Sequence, residues 1–177
     1  MSSQPVHVLT YQDFTTFPDD GLHEIVDGAL FVKGVPSLRH QKVSGELFLQ
    51  LREQVTQPGR GEVYYSPVGV ELSPHDIVQP DLVVVLDRSV LVGSHVRGTP
   101  ELVVEILSPS NRRHDLETKH ELYERSGVGE HWVLDAEGRA LTQHVLEGGR
   151  YRCTGDHREH VSSVAVDGLD VDLSRVW

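Results

Sequence analysis

Two stretches decide the fold: Pro80-Asp81-Leu82-Val83-Val84-Val85-Leu86 and Leu102-Val103-Val104-Glu105-Ile106-Leu107. Apolar, β-branched runs of this length that do not alternate with polar residues predict strands covered on both faces. Each run carries one carboxylate. An ionised carboxylate without a partner in such a place costs several kcal/mol or takes up a proton. Asp81 and Glu105 therefore need a buried cation of the protein or a divalent metal, and the metal explains why two acids stand on neighbouring strands.

Outward from these strands, the chain reads as an alternation of short elements. Thr10-Tyr11-Gln12-Asp13 has the form of a capping box with Asp for Glu and predicts a brief helix ended by Pro18-Asp19-Asp20-Gly21. His23 to Lys33 carries Asp27-Gly28 between two alternating apolar stretches, a strong hairpin signal that puts Glu24 on the first strand. From Ser37, Val43, Leu47, Leu51 and Val55 recur every fourth residue, predicting an amphipathic helix that stops near Pro58-Gly59. Glu62–Tyr65 and Val68–Leu72 read as further strands. Beyond Ser108-Pro109-Ser110-Asn111, a helix is expected to run to Ser126-Gly127 with Leu116, Leu122 and Tyr123 on its inner face. Glu130–Asp135 then begins a β-meander punctuated by Glu137-Gly138 and Gly148-Gly149 and reaching Val171.

The 177 residues suit a single domain spanning 1–177, with a flexible N-terminus over 1–9. A formal charge of −11 argues against nucleic-acid binding through a broad positive field, so any phosphate contact must be local. The lone cysteine, Cys153, excludes an internal disulfide framework and fits a reducing compartment. No apolar run approaches the ~20 residues of a membrane span, and the opening Met1-Ser2-Ser3-Gln4-Pro5 lacks a secretory core. A cytoplasmic protein away from the membrane is expected.

Carboxylates at the ends of adjacent strands offer the hard oxygens that Mg2+ and Mn2+ prefer, and such a metal acidifies water and polarises a phosphoryl oxygen. Lys119, three residues from both Leu116 and Leu122, is the cation expected to turn inward toward the sheet. A lysine snorkelling from the buried edge or paired with Asp115 is the plainer alternative. Asp81 likewise reads as a strand-end aspartate, and Glu105 as a structural partner of Arg112, Arg113 or Lys119. His40, Arg112 and Arg113 are candidates for gripping phosphate, with Arg39 and Lys42 extending that strip. The other histidines show no paired zinc spacing.

Pro80-Asp81, then 24 residues on to Glu105-Ile106-Leu107-Ser108-Pro109-Ser110, then Asp115, Lys119, Tyr123 and Gly127-Val128-Gly129-Glu130-His131-Trp132, together resemble the Uma-two family of restriction-endonuclease-like proteins in the PD-(D/E)XK nuclease superfamily. The likeness extends from Thr10 to Asp135 and takes in the Glu24 hairpin and His40. It implies an α/β fold, a mixed sheet flanked by helices, with metal on Asp81 and Glu105 and Glu24 as a third acid. The superfamily's lysine two residues after the glutamate is Leu107 here, and the resemblance implies that Lys119 substitutes for it in space. The function so implied is a Mg2+- or Mn2+-dependent endonuclease acting on nucleic acid, DNA foremost, as a homo-oligomer such as a dimer. The alternatives are a catalytically inactive nuclease-fold binding or assembly module and a structural homo-oligomer.

Overall fold

The computed structural model describes residues 8–18, 21–109 and 112–177. Asp19, Asp20, Ser110 and Asn111, and with them part of the expected end of the first helix and of the cap of the last, lie outside the described residues, as do residues 1–7.

The Asp13 carboxylate accepts the Thr10 backbone N–H at 2.8 Å and starts the one-turn helix α1 (Tyr11–Phe14). The hairpin of β1 (His23–Val26) and β2 (Ala29–Val32) turns on Asp27 and Gly28, both at positive φ (52° and 72°), as a primed two-residue turn requires. Ser37 accepts the His40 N–H and opens α2 (Leu38–Leu51), whose Val43, Leu47 and Leu51 are buried; a π-helical turn, Arg52–Thr56, extends it and buries Val55. Next come β3 (Glu62–Tyr65), β4 (Val70–Ser73), β5 (Asp76–Val78) and β6 (Leu82–Val85). They are followed by β7 (Leu91–Val92), β8 (His95–Arg97) and β9 (Leu102–Ile106). A π-helical turn, His114–Lys119, leads into α3 (His120–Ser126), which Gly127 ends in the left-handed region at φ 81°. The chain closes with β10 (Glu130–Asp135), β11 (Ala140–Glu147), β12 (Arg150–His157), β13 (His160–Ser162) and β14 (Asp170–Asp172).

These strands form two six-stranded mixed sheets and one pair. The central sheet has the order β12-β11-β10-β9-β6-β3, with β9 and β10 parallel; the second has the order β2-β1-β5-β4-β8-β7, and β13 pairs with β14. The two apolar runs around Leu82–Val85 and Leu102–Ile106 form the adjacent strands β6 and β9, in register Leu82 to Val104. Both faces of that pair are covered. Leu82, Val84, Leu102, Val104 and Ile106 pack against α2 and the C-terminal segment that includes Val161, Val171 and Val176. Val83, Val85 and Val103 face the second sheet and α3, meeting Val26, Val78, Leu122 and Tyr123.

The mixed α/β architecture agrees with expectation, and three details differ. The sequence reading foresaw one sheet; β5, β7 and β8 are only two or three residues long, too short to leave a periodic signal, and they build the second. Leu116 is 40% exposed and leaves the inner face of its helix to Asp115, Lys119, Leu122 and Tyr123. The C-terminal meander holds from β10 to β12, after which β13 and β14 pair separately.

Candidate active site

The register of β6 and β9 sets Asp81 beside Glu105's strand: Asp81 Oδ2 accepts the Ile106 N–H at 2.7 Å and lies 3.0 Å from His40 Nε2. Since Val103 faces the second sheet and Val104 faces α2, the pleat turns Glu105 toward the second sheet and α3. There its Oε1 meets Lys119 Nζ at 2.5 Å and accepts the Tyr123 hydroxyl at 2.6 Å. Lys119 Nζ also lies 2.9 Å from Glu24 Oε1 and 3.8 Å from Asp115 Oδ1. A lysine from the helix after β9 thus reaches the glutamate that Leu107, on the strand side, cannot serve.

Glu24 closes the cluster from β1. Its Oε1 accepts the Gln79 N–H at 2.8 Å and faces Lys33 at 3.4 Å, while Oε2 lies 3.0 Å from His114 Nε2. Glu24 and Lys119 are both fully buried. In front of them opens a cleft of about 530 Å³ lined by Asp81, Glu105, Asp115, His40, Lys33 and Tyr65 among others. Asp81 Oδ1 and Glu105 Oε2 accept no hydrogen bond from the described residues, so each of these two acids has one oxygen engaged and one unengaged among them.

Uma2, described as "Putative restriction endonuclease", is the family whose model matches residues 9–174. The chain belongs to the Uma2 family. Among solved structures, "a putative nuclease belonging to DUF820 from Anabaena variabilis ATCC 29413" superposes with a TM-score of 0.78 at 14% identity, over 95% of this chain and 97% of that one. That likeness shows that the two chains share one fold over nearly their whole lengths. No curated protein matches the chain.

The Uma2 chain holds more negative charge around this cleft than its own cations neutralise. Burial pushes the Glu105 carboxyl up to about 8; Lys119 opposes this, and Asp115, Asp81 and Glu24 add to it. Asp115 is pushed to about 6, first by burial and then by Glu24 and Asp81. For Glu24 burial works in the same direction, but Lys119, Lys33, His114 and the Gln79 N–H outweigh it and hold the carboxyl well below its usual range. Against its own desolvation, the surrounding acids raise Lys119 well above the ordinary lysine value. It is therefore an ammonium at any working pH and a source of positive charge, never a proton acceptor.

Hard oxygen donors crowded together and short of positive charge suit a hard divalent cation in chemical type. Among the described residues, no group of three or more His, Cys, Asp or Glu is arranged to hold a metal ion outright, so Asp81 and Glu105 offer two donors, and further ligands have to come from water or substrate.

Of the other sequence candidates, His40 lines the cleft and is turned to Asp81. Arg112 reaches Asp135 at 3.5 Å and Arg113 reaches Glu117 at 2.9 Å, and neither lines the cleft. Arg39 donates to the Ala136 carbonyl, and Lys42 to that of Trp177. By sequence Tyr123 reads as a core aromatic, Asp115 as a partner for Lys119 and His114 as a residue without a role. Spacing carried the signal for two of them: Asp115, Lys119 and Tyr123 recur every fourth residue on one helical face. Lys33 and Gln79 are brought to Glu24 across the β1–β2 hairpin and from the loop before β6, and no local pattern marks them.

Proposed function

We propose that this Uma2 protein hydrolyses nucleic-acid phosphodiesters, DNA foremost, as a Mg2+- or Mn2+-dependent endonuclease. The observation that carries this reading is the pair Asp81 and Glu105, each with an oxygen free of hydrogen bonds in one cleft and with Lys119 against Glu105. Asp81 and Glu105 would hold the metal, which when bound supplies Lewis-acid polarisation of the phosphoryl oxygen and acidifies water. Lys119 opposes the burial that favours the protonated Glu105 and orients its carboxyl while Tyr123 fixes the same oxygen, so the pair are positioning residues behind the cleft. Glu24 in turn anchors Lys119. His40 orients Asp81 by taking up its other oxygen. Asp115, at the cleft wall, is close enough to neutrality in pKa to exchange a proton with a water or leaving group there.

The test combines calorimetric titration of Mn2+ with a cleavage screen on single- and double-stranded DNA and RNA. Saturable Mn2+ binding and Mn2+-dependent cleavage are expected, both lost in an Asp81→Ala, Glu105→Ala double variant. Cleavage that survives Lys119→Ala would sink the idea that this lysine replaces the one absent at Leu107.

One observation favours a second reading, a nuclease fold that binds without cutting: Lys119 is fully buried and saturated by carboxylates. Nucleic-acid binding with no cleavage under any divalent metal would select it.

A further inference from the structure

A second cavity, of about 480 Å³, adjoins the acidic cleft. Tyr65 and Pro67 line both, so the two spaces share a wall. The cavity side is otherwise built largely from apolar and ring surfaces, including Tyr64, Leu91, Val96 and His95. His95 is a fixed part of the wall, its Nδ1 engaged with the Tyr11 hydroxyl at 3.0 Å, its Nε2 with Glu71 at 3.1 Å and its ring packed against the Tyr11 ring. Tyr65 is 59% exposed, and a near-perpendicular contact with Phe48, 4.9 Å between centroids, holds its ring. The same residue is tied to the candidate metal-holding acid: Tyr65 pairs with Leu82, and the Ser66 N–H donates to the Asp81 carbonyl at 3.0 Å.

We propose that this cavity takes an unpaired nucleobase, stacked on Tyr65, of the strand whose phosphodiester enters the acidic cleft. The substrate is accordingly single-stranded or locally unpaired, not an intact duplex. The proposal rests on reading the cleft as the phosphodiester site. Its physical ground is charge. With a net charge of −11 and with Arg39, Lys33 and Arg112 already engaged by carbonyls and carboxylates, the chain has little with which to bind a duplex by its phosphates. Stacking on an aromatic ring holds a strand without that charge, because every base has a π face once it is unpaired. In a duplex those faces are covered by neighbouring bases and cannot enter a cavity.

The experiment is fluorescence anisotropy of short labelled DNA and RNA single strands and of the matching blunt duplex, with Ca2+ in place of Mg2+. Single strands are expected to bind tighter than the duplex; Tyr65→Ala should weaken them roughly tenfold, and Tyr65→Phe should leave them bound. Ser94→Trp, which adds a ring at an exposed position of the cavity wall, should compete with the base and weaken binding without touching Tyr65. Duplex binding as tight as single-strand binding, or single-strand binding unmoved by both Tyr65→Ala and Ser94→Trp, overturns the proposal. A parallel Mn2+ cleavage assay separates it from the hydrolase reading. Tyr65-dependent single-strand binding with no cleavage discards the hydrolase and keeps the base site. Duplex cleavage unaffected by Tyr65→Ala keeps the hydrolase and discards the base site.

Discussion

Glu105 is surrounded by apolar strand neighbours and three other carboxylates, with Lys119 as its cation, and its carboxyl moves from 4.5 to about 8. A folded value above the unfolded one means that the folded chain holds an extra proton between the two. That share of stability is fully present below about pH 4.5 and lost as pH rises toward 8, at up to about 1.4 kcal/mol per pH unit. Glu105→Gln removes it, so urea denaturation should show the native chain losing stability relative to the variant between pH 5 and pH 8. A constant difference across that window would mean that Glu105 stays ionised throughout. Glu24 has the opposite sign: its lowered value adds stability above the ordinary carboxylate range, lost only as pH falls below it. Lys119→Met strips both acids of their shared cation and should cost about 3–5 kcal/mol in the same measurement. Adding Glu24→Gln to it should recover part of that loss, because an uncharged amide needs no cation.

The element that depends most on one buried group is the segment after β13. Glu130, fully buried at the start of β10, accepts from the Trp132 indole at 2.6 Å, from the Gln143 amide, from the Ser163 hydroxyl at 2.5 Å and from the N–H groups of Val164 and Ala165 at 3.0 Å. One carboxylate therefore ties β10, β11 and the 163–165 turn together, and its partners are all donors. Glu130→Ala leaves the buried Trp132 indole without an acceptor and frees the 163–165 turn, and should cost about 3 kcal/mol, read by thermal denaturation, with protease cleavage appearing first near Val164. The hairpin shows the complementary case, in which a sequence signal was sufficient. Asp27-Gly28 between alternating strands specified both the turn and its register, and the turn is what puts Glu24 on the inner side of β1. The helix carrying Lys119 was legible as a helix, but its inner face was misjudged at Leu116. The π-helical turn through His114–Lys119 changes the angle between successive side chains, and it favours Asp115 and Lys119 over Leu116 at the buried face.

For the molecule as a whole, the excess of acid around the cleft makes divalent metal a stabilising ligand. A ligand bound only by the folded chain raises stability by about 2.7 kcal/mol at 100 times its dissociation constant. Mn2+ should therefore raise the melting temperature of the native chain at pH 8 more than at pH 5, because protons compete for Glu105 at the lower pH. An Asp81→Ala variant should show no such rise, and an equal rise in both would place the metal elsewhere. Among the described residues, no helix is long and apolar enough to cross a membrane.

Local rules were enough for the buried strands β6 and β9, the hairpin, α2 and the meander from β10, because burial on two faces, alternation and a four-residue repeat are each written into consecutive residues. They were also enough to single out Asp81, Glu105 and Lys119, since a charge inside an apolar pattern is visible without coordinates. Which partner each charge takes was not legible. Glu24, Lys33, Gln79, His114 and Tyr123 reach the cluster from a hairpin, a loop and a helix, Glu24 meeting Lys119 across 95 residues of chain, and the second sheet that holds Glu24 includes strands too short to announce themselves. Contacts between distant segments follow from how two layers pack, and packing depends on shape and volume summed over the core, which no window of sequence contains.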